Sequence, residues 1–455
     1  MTRESGPAVS DEVYHPLTNR PADDVIARRN GAEVRIDEFI CCAVSLSKRL
    51  PVLPYAINLC TNRYEFLLGF CAAVIAGQCT LLPPNRQRQT LLSIAKDYKD
   101  AYVLGRDRVD GIEFFSPDDT HNAKPIADIP LVADDQLCAI AFTSGSTGEP
   151  KPNRKYWKTL RTSTSNTSDL IVDIRDATIN IVATVPPQHM WGLEMSVLLP
   201  LLANVAISAK TPFFPQDIFA ALQRLPRPRA LVSSPVHLNA LIKANIGSIE
   251  IDKIYTATAP MPVDIAGRLE EEFGAQVIDV FGCTESGIIA ARRPTITLEW
   301  QLADTVTLEE REDSTLVVAD HLNEQVRLND RVELLDKGRF VWIGRDEDMI
   351  NIAGKRASLA ELNRHLNALL GVEDGVIFMP DPDAKRLAAL VVAPNLQRSD
   401  ILMGLRDKID PAFLPRPVRM VPALPRQETG KLSRKAVLDL FVNSGRQTEV
   451  RADDS

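Results

Sequence analysis

The stretch that leaves this chain the fewest ways to fold is residues 141–151, A-F-T-S-G-S-T-G-E-P-K. Its left flank, residues 138–142, is short and apolar, as the end of a buried strand would be. Gly145 and Gly148 then sit among Thr143, Ser144, Ser146 and Thr147. Glycine permits tight turns and close backbone approach. Hydroxyls and successive backbone N–H groups can surround a multiply charged anion, to which Lys151 adds a point charge. On chemistry alone this is a loop able to hold a polyphosphate. It departs from the common P-loop, in which a helix starts at a Lys that follows Gly. Here Pro150 and Pro152 bracket Lys151, so no helix is expected to begin there.

A chain of 455 residues is too long for one ordinary core and predicts at least two units. Short apolar runs at residues 56–59 and 79–82 flank a helical stretch over residues 62–76, with Gly77 at its C-terminal cap. Strand–helix–strand alternation of this kind predicts a parallel sheet with covering helices. Residues 35–50 predict another helix starting near Asp37, and residues 1–25 read as a loosely held lead-in. The formal charge of −8 and the lack of a basic arm argue against a general nucleic-acid binder. The seven cysteines form no C-x-x-C pair and read as reduced core thiols. The N-terminus has no apolar signal segment, and the apolar runs at residues 66–76 and 181–207 are too short or too broken to cross a bilayer. The expected location is cytoplasmic.

T-S-G-S-T-G-x-P-K resembles the phosphate loop of the adenylate-forming superfamily: acyl- and aryl-CoA synthetases, peptide-synthetase adenylation domains and luciferases. The resemblance extends in order along nearly the whole chain. P-P-Q-H-M-W-G-L-E (186–194) places His189 between the expected ATP and acyl pockets. I-Y-T-A-T-A-P-M-P (254–262) stands where the family backbone edges adenine, which makes Thr258 and Ala259 nucleotide-site candidates; family glycines are replaced there by Ala257 and Thr258. Residues 230–236, A-L-V-S-S-P-V, read as a strand entering a turn that faces the acyl pocket. Phe281-Gly282-Cys283-Thr284-Glu285 is similar to aromatic-G-x-T-E. By that resemblance Phe281 and Gly282 border the nucleoside, Thr284 reaches phosphate, and Glu285 is the catalytic and metal-binding carboxylate, a hard oxygen ligand of the kind Mg²⁺ requires. Residues 290–325 alternate like antiparallel strands and are shorter than in most members.

Asp330 stands in the remnant of a T-G-D motif and is implied to bind ribose. G-R-D-E-D-M-I (344–350) resembles the family hinge, with Arg345 on ribose or phosphate and Glu347 at the pivot. P-R-Q-E-T-G-K-L-S-R-K (425–435) resembles the loop that carries the catalytic lysine, here Lys431. The implied fold is α/β: a large N-terminal adenylate-forming domain over residues 1–345, with parallel sheets and helices, and a small mobile α/β domain over residues 346–455. The implied activity is ATP- and Mg²⁺-dependent activation of an aryl or fatty acid as acyl-AMP with pyrophosphate release. The acyl group would then pass to the phosphopantetheine thiol of an acyl carrier protein, and the chain is similar to AMP-ligases of aryl polyene or xanthomonadin-type pathways. Two other readings stand beside it. One is an acyl- or aryl-CoA ligase using free CoA; the other is a non-catalytic nucleotide-binding partner, suggested by the eroded motifs. The basic residues Arg416, Arg419, Arg426, Lys431, Arg434 and Lys435 form a local charge reversal suited to phosphates or an acidic carrier.

Overall fold

The computed structural model describes residues 13–117, 128–144, 150–172, 177–247, 249–311, 314–345, 349–352, 355–381, 384, 386–426 and 432–450. The chain divides into two compact units, Met1–Thr307 with Val318–Val326, and Leu308–Val317 with Arg327–Ser455. A domain boundary at 345, with a pivot beside it, is a proposal that rests on the G-R-D-E-D-M-I motif. Glu347 itself lies outside the described residues.

In the first unit, the helix Arg63–Ile75 starts where expected. Asn62 caps it by accepting a hydrogen bond from the Glu65 amide, and Gly77 follows its end at φ +71°. Nearly every residue of this helix is buried, so it is a central helix rather than a one-sided surface one. It packs on a sheet ordered Pro150–Tyr156, Leu137–Ser144, Cys79–Leu82, Tyr55–Asn58, Ala101–Leu104, Glu113–Phe115. The inner strands of this sheet are parallel. Pro150–Tyr156 is antiparallel to its neighbour, with Lys151 opposite Thr143.

A second sheet of the same unit carries Ile179–Ala183, Arg229–Ser233, Lys253–Thr256 and Gln276–Cys283 side by side, all parallel. Gly287–Arg292 and Glu299–Leu302 then continue it antiparallel. Strands buried on both faces read as largely apolar runs, as A-L-V does; Asn180, Lys253 and Thr256 are buried polar residues within or at the ends of the others.

Two local expectations need correction. Residues 14–20 are not loosely held: Tyr14–Pro16 pairs with Leu131–Ala133, and Arg20 is buried, donating to the carbonyls of Pro200 and Val205. A guanidinium with its donors satisfied tolerates burial, and a polar composition gave no hint of that. The helix Ile36–Ser47 starts within a residue of the expected Asp37, which lies in its first turn, where its charge suits the helix dipole. Ser234-Pro235 is not a free turn but the start of the helix Pro235–Ala244, with proline at a position that needs no N–H.

In the second unit, Asp374–Phe378, Ala388–Val392 and Val418–Met420 form a three-stranded sheet. The helices Leu359–Asn367 and Arg398–Arg406 contribute Leu362, Leu366, Ile401 and Leu405 to its core. A hairpin pairs Asp330–Leu335 with Arg339–Arg345. No described helix of the chain is long and apolar enough to cross a membrane.

Candidate active site

The four parallel strands of the second sheet end together. Thr184, just past Ile179–Ala183, donates its amide to the Val232 carbonyl, Ser233 faces Thr256, and Thr256 faces Asp279. This row of four polar residues is buried at the carboxyl edge of an otherwise apolar parallel sheet. Ligand crevices in α/β folds form at that edge. From it emerge, strand by strand, the His189 segment, the Ser233-Ser234 helix start, the 257–262 loop and the Phe281–Glu285 turn.

His189 is half-buried and directly precedes the short helix Met190–Leu193. A second histidine that the sequence did not single out, His237, is also half-buried and lies against the row. Its Nδ1 is 3.4 Å from Thr184 Oγ1 and 3.3 Å from Ser234 Oγ, and Thr184 Oγ1 is 2.8 Å from Ser233 Oγ. Burial pushes the His237 imidazole below its ordinary value, so it is held neutral.

The 257–262 loop keeps the backbone that family glycines would suit: Thr258 has φ +80°, a left-handed conformation rare for a β-branched residue. The loop is held from below. Asp279 Oδ2 accepts the Met261 amide at 3.0 Å and Arg292 Nη2 at 2.9 Å. Burial lifts the Asp279 carboxyl to about 6, against the pull of Arg292. The Arg292 guanidinium stacks on Trp300 at 4.5 Å, and Trp300 lies 5.3 Å from the Phe281 ring. One packed series therefore supports both expected nucleoside neighbours, Thr258-Ala259 and Phe281.

Thr284 and Glu285 are half-buried in the tight turn between Gln276–Cys283 and Gly287–Arg292. A β-carbon on Gly282 would run into the Gly287 carbonyl, which is why glycine is needed there. Three buried ionisable side chains hold the turn. Lys155 Nζ donates to the Glu285 carbonyl at 3.0 Å, and His321 Nε2 donates to the Ser286 carbonyl at 2.8 Å. Glu194 Oε1 accepts the Ile288 amide at 3.0 Å and Ser163 Oγ at 3.3 Å.

In the phosphate-loop hairpin, Thr143 is half-buried and Lys151 exposed. Gly145, Ser146, Thr147 and Gly148 lie outside the described residues, as do Lys431 and the side chains of Ser144 and Arg345. Asp330 and Arg345 are direct register partners in the second unit, and Trp342 Nε1 donates to Asp330 Oδ1 at 2.8 Å. All seven cysteines are free thiols, with burial raising Cys60, Cys71, Cys79 and Cys138 far from reactivity.

The sequence reading missed Lys155, Glu194, His321, Asp279 and Arg292. One signal was available: Glu194 is a lone acid inside the apolar run M-W-G-L-E-M-S-V-L-L, and such a residue is buried only when hydrogen-bonded or paired. Lys155, in K-P-N-R-K-Y-W-K, looks like any of its basic neighbours.

The model of the AMP-binding enzyme family matches residues 60–342. The chain belongs to that family. It is an adenylate-forming ligase, as the ordered motifs implied. A 3,4-dihydroxybenzoate–[aryl-carrier protein] ligase of Bacillus anthracis is 21% identical over 305 residues, covering 65% of this chain and 72% of the relative. A benzoate–CoA ligase of Thauera aromatica is 24% identical over 432 residues, covering 84% and 80%. Among solved structures, o-succinylbenzoate coenzyme A synthetase (MenE) of Bacillus subtilis with AMP superposes with a TM-score of 0.80 at 15% identity, covering 93% of this chain and 98% of that one. ATP-bound MatB of Rhodopseudomonas palustris gives 0.79 at 18% identity, covering 92% and 96%. These likenesses establish the α/β adenylate-forming fold.

Proposed function

We propose that the chain activates an aryl carboxylic acid with ATP and transfers the acyl group to the phosphopantetheine thiol of a carrier protein. The observation that carries this reading is the shared carboxyl edge, where the strand ends present His189, Ser234, Thr258 and the Phe281–Glu285 turn in one row. An aryl acid is favoured because dihydroxybenzoate, benzoate and 4-coumarate are named for relatives of this chain. Gln188 Oε1 and Thr256 Oγ1 are buried without hydrogen-bond partners among the described residues. Such orphans suit a ring carrying polar substituents.

A carboxylate oxygen of the acid bonds to the α-phosphorus of ATP. The bond from that phosphorus to the bridging oxygen breaks, and pyrophosphate leaves with the electron pair. Lys431, by its motif, would offset the charge that develops. The thiol then adds to the acyl carbon, its proton passes to solvent, and AMP leaves with its electron pair. Thr143, Ser144, Gly145, Ser146, Thr147, Gly148 and Lys151 would hold phosphates, and Asp330 with Arg345 the ribose.

The donor set fits Mg²⁺ that arrives on ATP. Among the described residues no group of three or more His, Cys, Asp or Glu could cage a metal, while Glu285 offers one half-buried carboxylate. One or two carboxylates plus substrate phosphates is how Mg²⁺ is usually bound. Glu285 would hold the ion and Thr284 a phosphate oxygen; when bound, the ion neutralises phosphate charge.

A carrier acceptor is supported by the aryl-carrier ligase among the relatives and by the exposed Arg416, Arg434 and Lys435. The basic patch is smaller than its sequence suggests. Arg419 packs on Phe441 and donates to its carbonyl, and Arg426 pairs with Asp374 at 2.6 Å. Free CoA is the second reading, favoured by the CoA ligases among the relatives.

The test is acid-dependent pyrophosphate release over a panel of hydroxylated and plain benzoates, cinnamates and fatty acids. It is run without thiol, then with CoA or carrier protein. Release with aryl acids and transfer to carrier alone supports the proposal. Release only with fatty acids, or transfer only to CoA, replaces the corresponding half of it. Silence with every acid, together with retained ATP binding, would turn the reading to a non-catalytic nucleotide-binding protein.

A further inference from the structure

We propose that Lys155, Glu194 and His321 are positioning residues that clamp the backbone of residues 285–288, fixing where Thr284 and Glu285 stand and tying that turn to the phosphate-loop hairpin. This rests on the proposed role of Glu285 toward Mg²⁺·ATP.

The three side chains come from separate parts of the first unit. Lys155 is on the returning strand of the hairpin, Pro150–Tyr156. Glu194 opens a π-helical turn, Glu194–Leu198, and such turns recur at functional sites. His321 follows the strand Ser314–Ala319 in the chain. All three are 3% exposed or less, and all three end on backbone groups of one four-residue segment. A carbonyl only accepts, so the proton of neutral His321 is on Nε2, toward Ser286.

Gly287 makes the close fit possible. Its φ is +71°, and a β-carbon there would lie 2.8 Å from both Glu194 Oε1 and Ser163 Oγ. The Cys283 thiol and Ser286 hydroxyl, 3.2 Å apart, close the turn from within.

Burial acts against each charge. It lowers Lys155 and raises Glu194, each tempered by the attraction of the other, and it lowers His321. Buried charges are poor stabilisers compared with apolar residues of similar size. Three buried ionisable groups converging on two carbonyls and one amide are better explained by the geometry they impose. Because Lys155 sits four residues beyond Lys151 on the same strand, the hairpin cannot move relative to the Glu285 turn without breaking its bond.

The test compares full-length wild type with Lys155→Met, His321→Leu and Glu194→Gln. Amide hydrogen exchange is followed across residues 283–289, Mg²⁺·ATP binding by calorimetry, and pyrophosphate release as a function of each substrate. Lys155→Met and His321→Leu should speed exchange in residues 285–288 and weaken Mg²⁺·ATP binding by about tenfold, while the KM for the acid moves less than about twofold. Glu194→Gln keeps an acceptor for the Ile288 amide, so exchange at residue 288 should stay near wild type, while loss of its charge beside buried Lys155 should lower stability. Unchanged exchange at 285–288 in both deletions overturns the clamp. So does an equal rise in both KM values. Should Lys155→Met fail to fold, His321→Leu decides alone. Exchange is read without turnover: if wild type releases no pyrophosphate with any acid while the deletions still loosen 285–288, the clamp stands and only the catalytic reading falls.

Discussion

Two segments expected to meet the same nucleotide are built differently. The hairpin around Thr143 and Lys151 is held by its strand ladder, by Phe142 against Tyr98 and, four residues beyond Lys151, by Lys155; Lys151 itself is exposed. The Phe281–Ile288 turn is held by side chains from remote elements: Lys155, Glu194 and His321 on its backbone, Trp300 on Phe281. Local ladder bonds permit a segment to open at low free energy, whereas buried side-chain networks do not. In the roles proposed for them, a phosphate loop must admit and release a polyanion, while a metal-holding carboxylate must stand still. The difference in construction follows that difference in work.

The largest effect should come from the rigid side. Gly282→Ala forces its new methyl into the Gly287 carbonyl, a backbone atom that cannot rotate away. Pyrophosphate release should fall by at least about a hundredfold, equivalent to roughly 3 kcal/mol of lost positioning. Activity within severalfold of wild type would mean that the turn is softer than its contacts imply. Next is Asp279→Asn, which leaves Arg292 buried beside a neutral partner. Removing one charge of a buried pair costs about 3–5 kcal/mol, so chemical denaturation should show a midpoint shift of that order. A change below about 1 kcal/mol would show that the pair is dispensable.

Smaller and opposite in sign, Thr258→Gly should relieve the φ of +80° and stabilise the protein by about 1 kcal/mol. A fall in melting temperature would place the strain elsewhere. On the pliant side, Lys151→Ala should leave stability within about 0.5 kcal/mol while weakening ATP binding. A marked loss of stability there would erase the contrast between the two segments.

The smallest expected effect is on pH dependence. His237 is held neutral by burial, with its folded value below its ordinary one, so below about pH 6.5 the unfolded chain binds the extra proton. Its share of stability is full above that pH and is lost as pH falls toward the folded value. His237→Asn should therefore flatten the acid limb of the stability curve relative to wild type. Parallel limbs would show that His237 does not contribute.

The sequence by itself determined the chemistry-bearing motifs, their order, and the alternation that builds parallel sheets under helices. These are local properties: glycine spacing, apolar runs, a capping Asn62 before a helix and Gly77 after it. Each is set by residues a few positions apart. Only the tertiary structure decided what supports the motifs. Lys155 lies 130 positions from Glu285, Glu194 lies 94 from Ile288, and Arg292 reaches Asp279 across a strand pair. Outside an apolar run such as the one around Glu194, a charged residue reads the same in sequence whether it points to water or into a core. What decides is the partner that offsets its desolvation, and distant partners are brought within reach only when the sheets assemble. The same reason explains the misread lead-in at residues 14–20, where Arg20 is acceptable inside because carbonyls from residues 200 and 205 arrive to meet it.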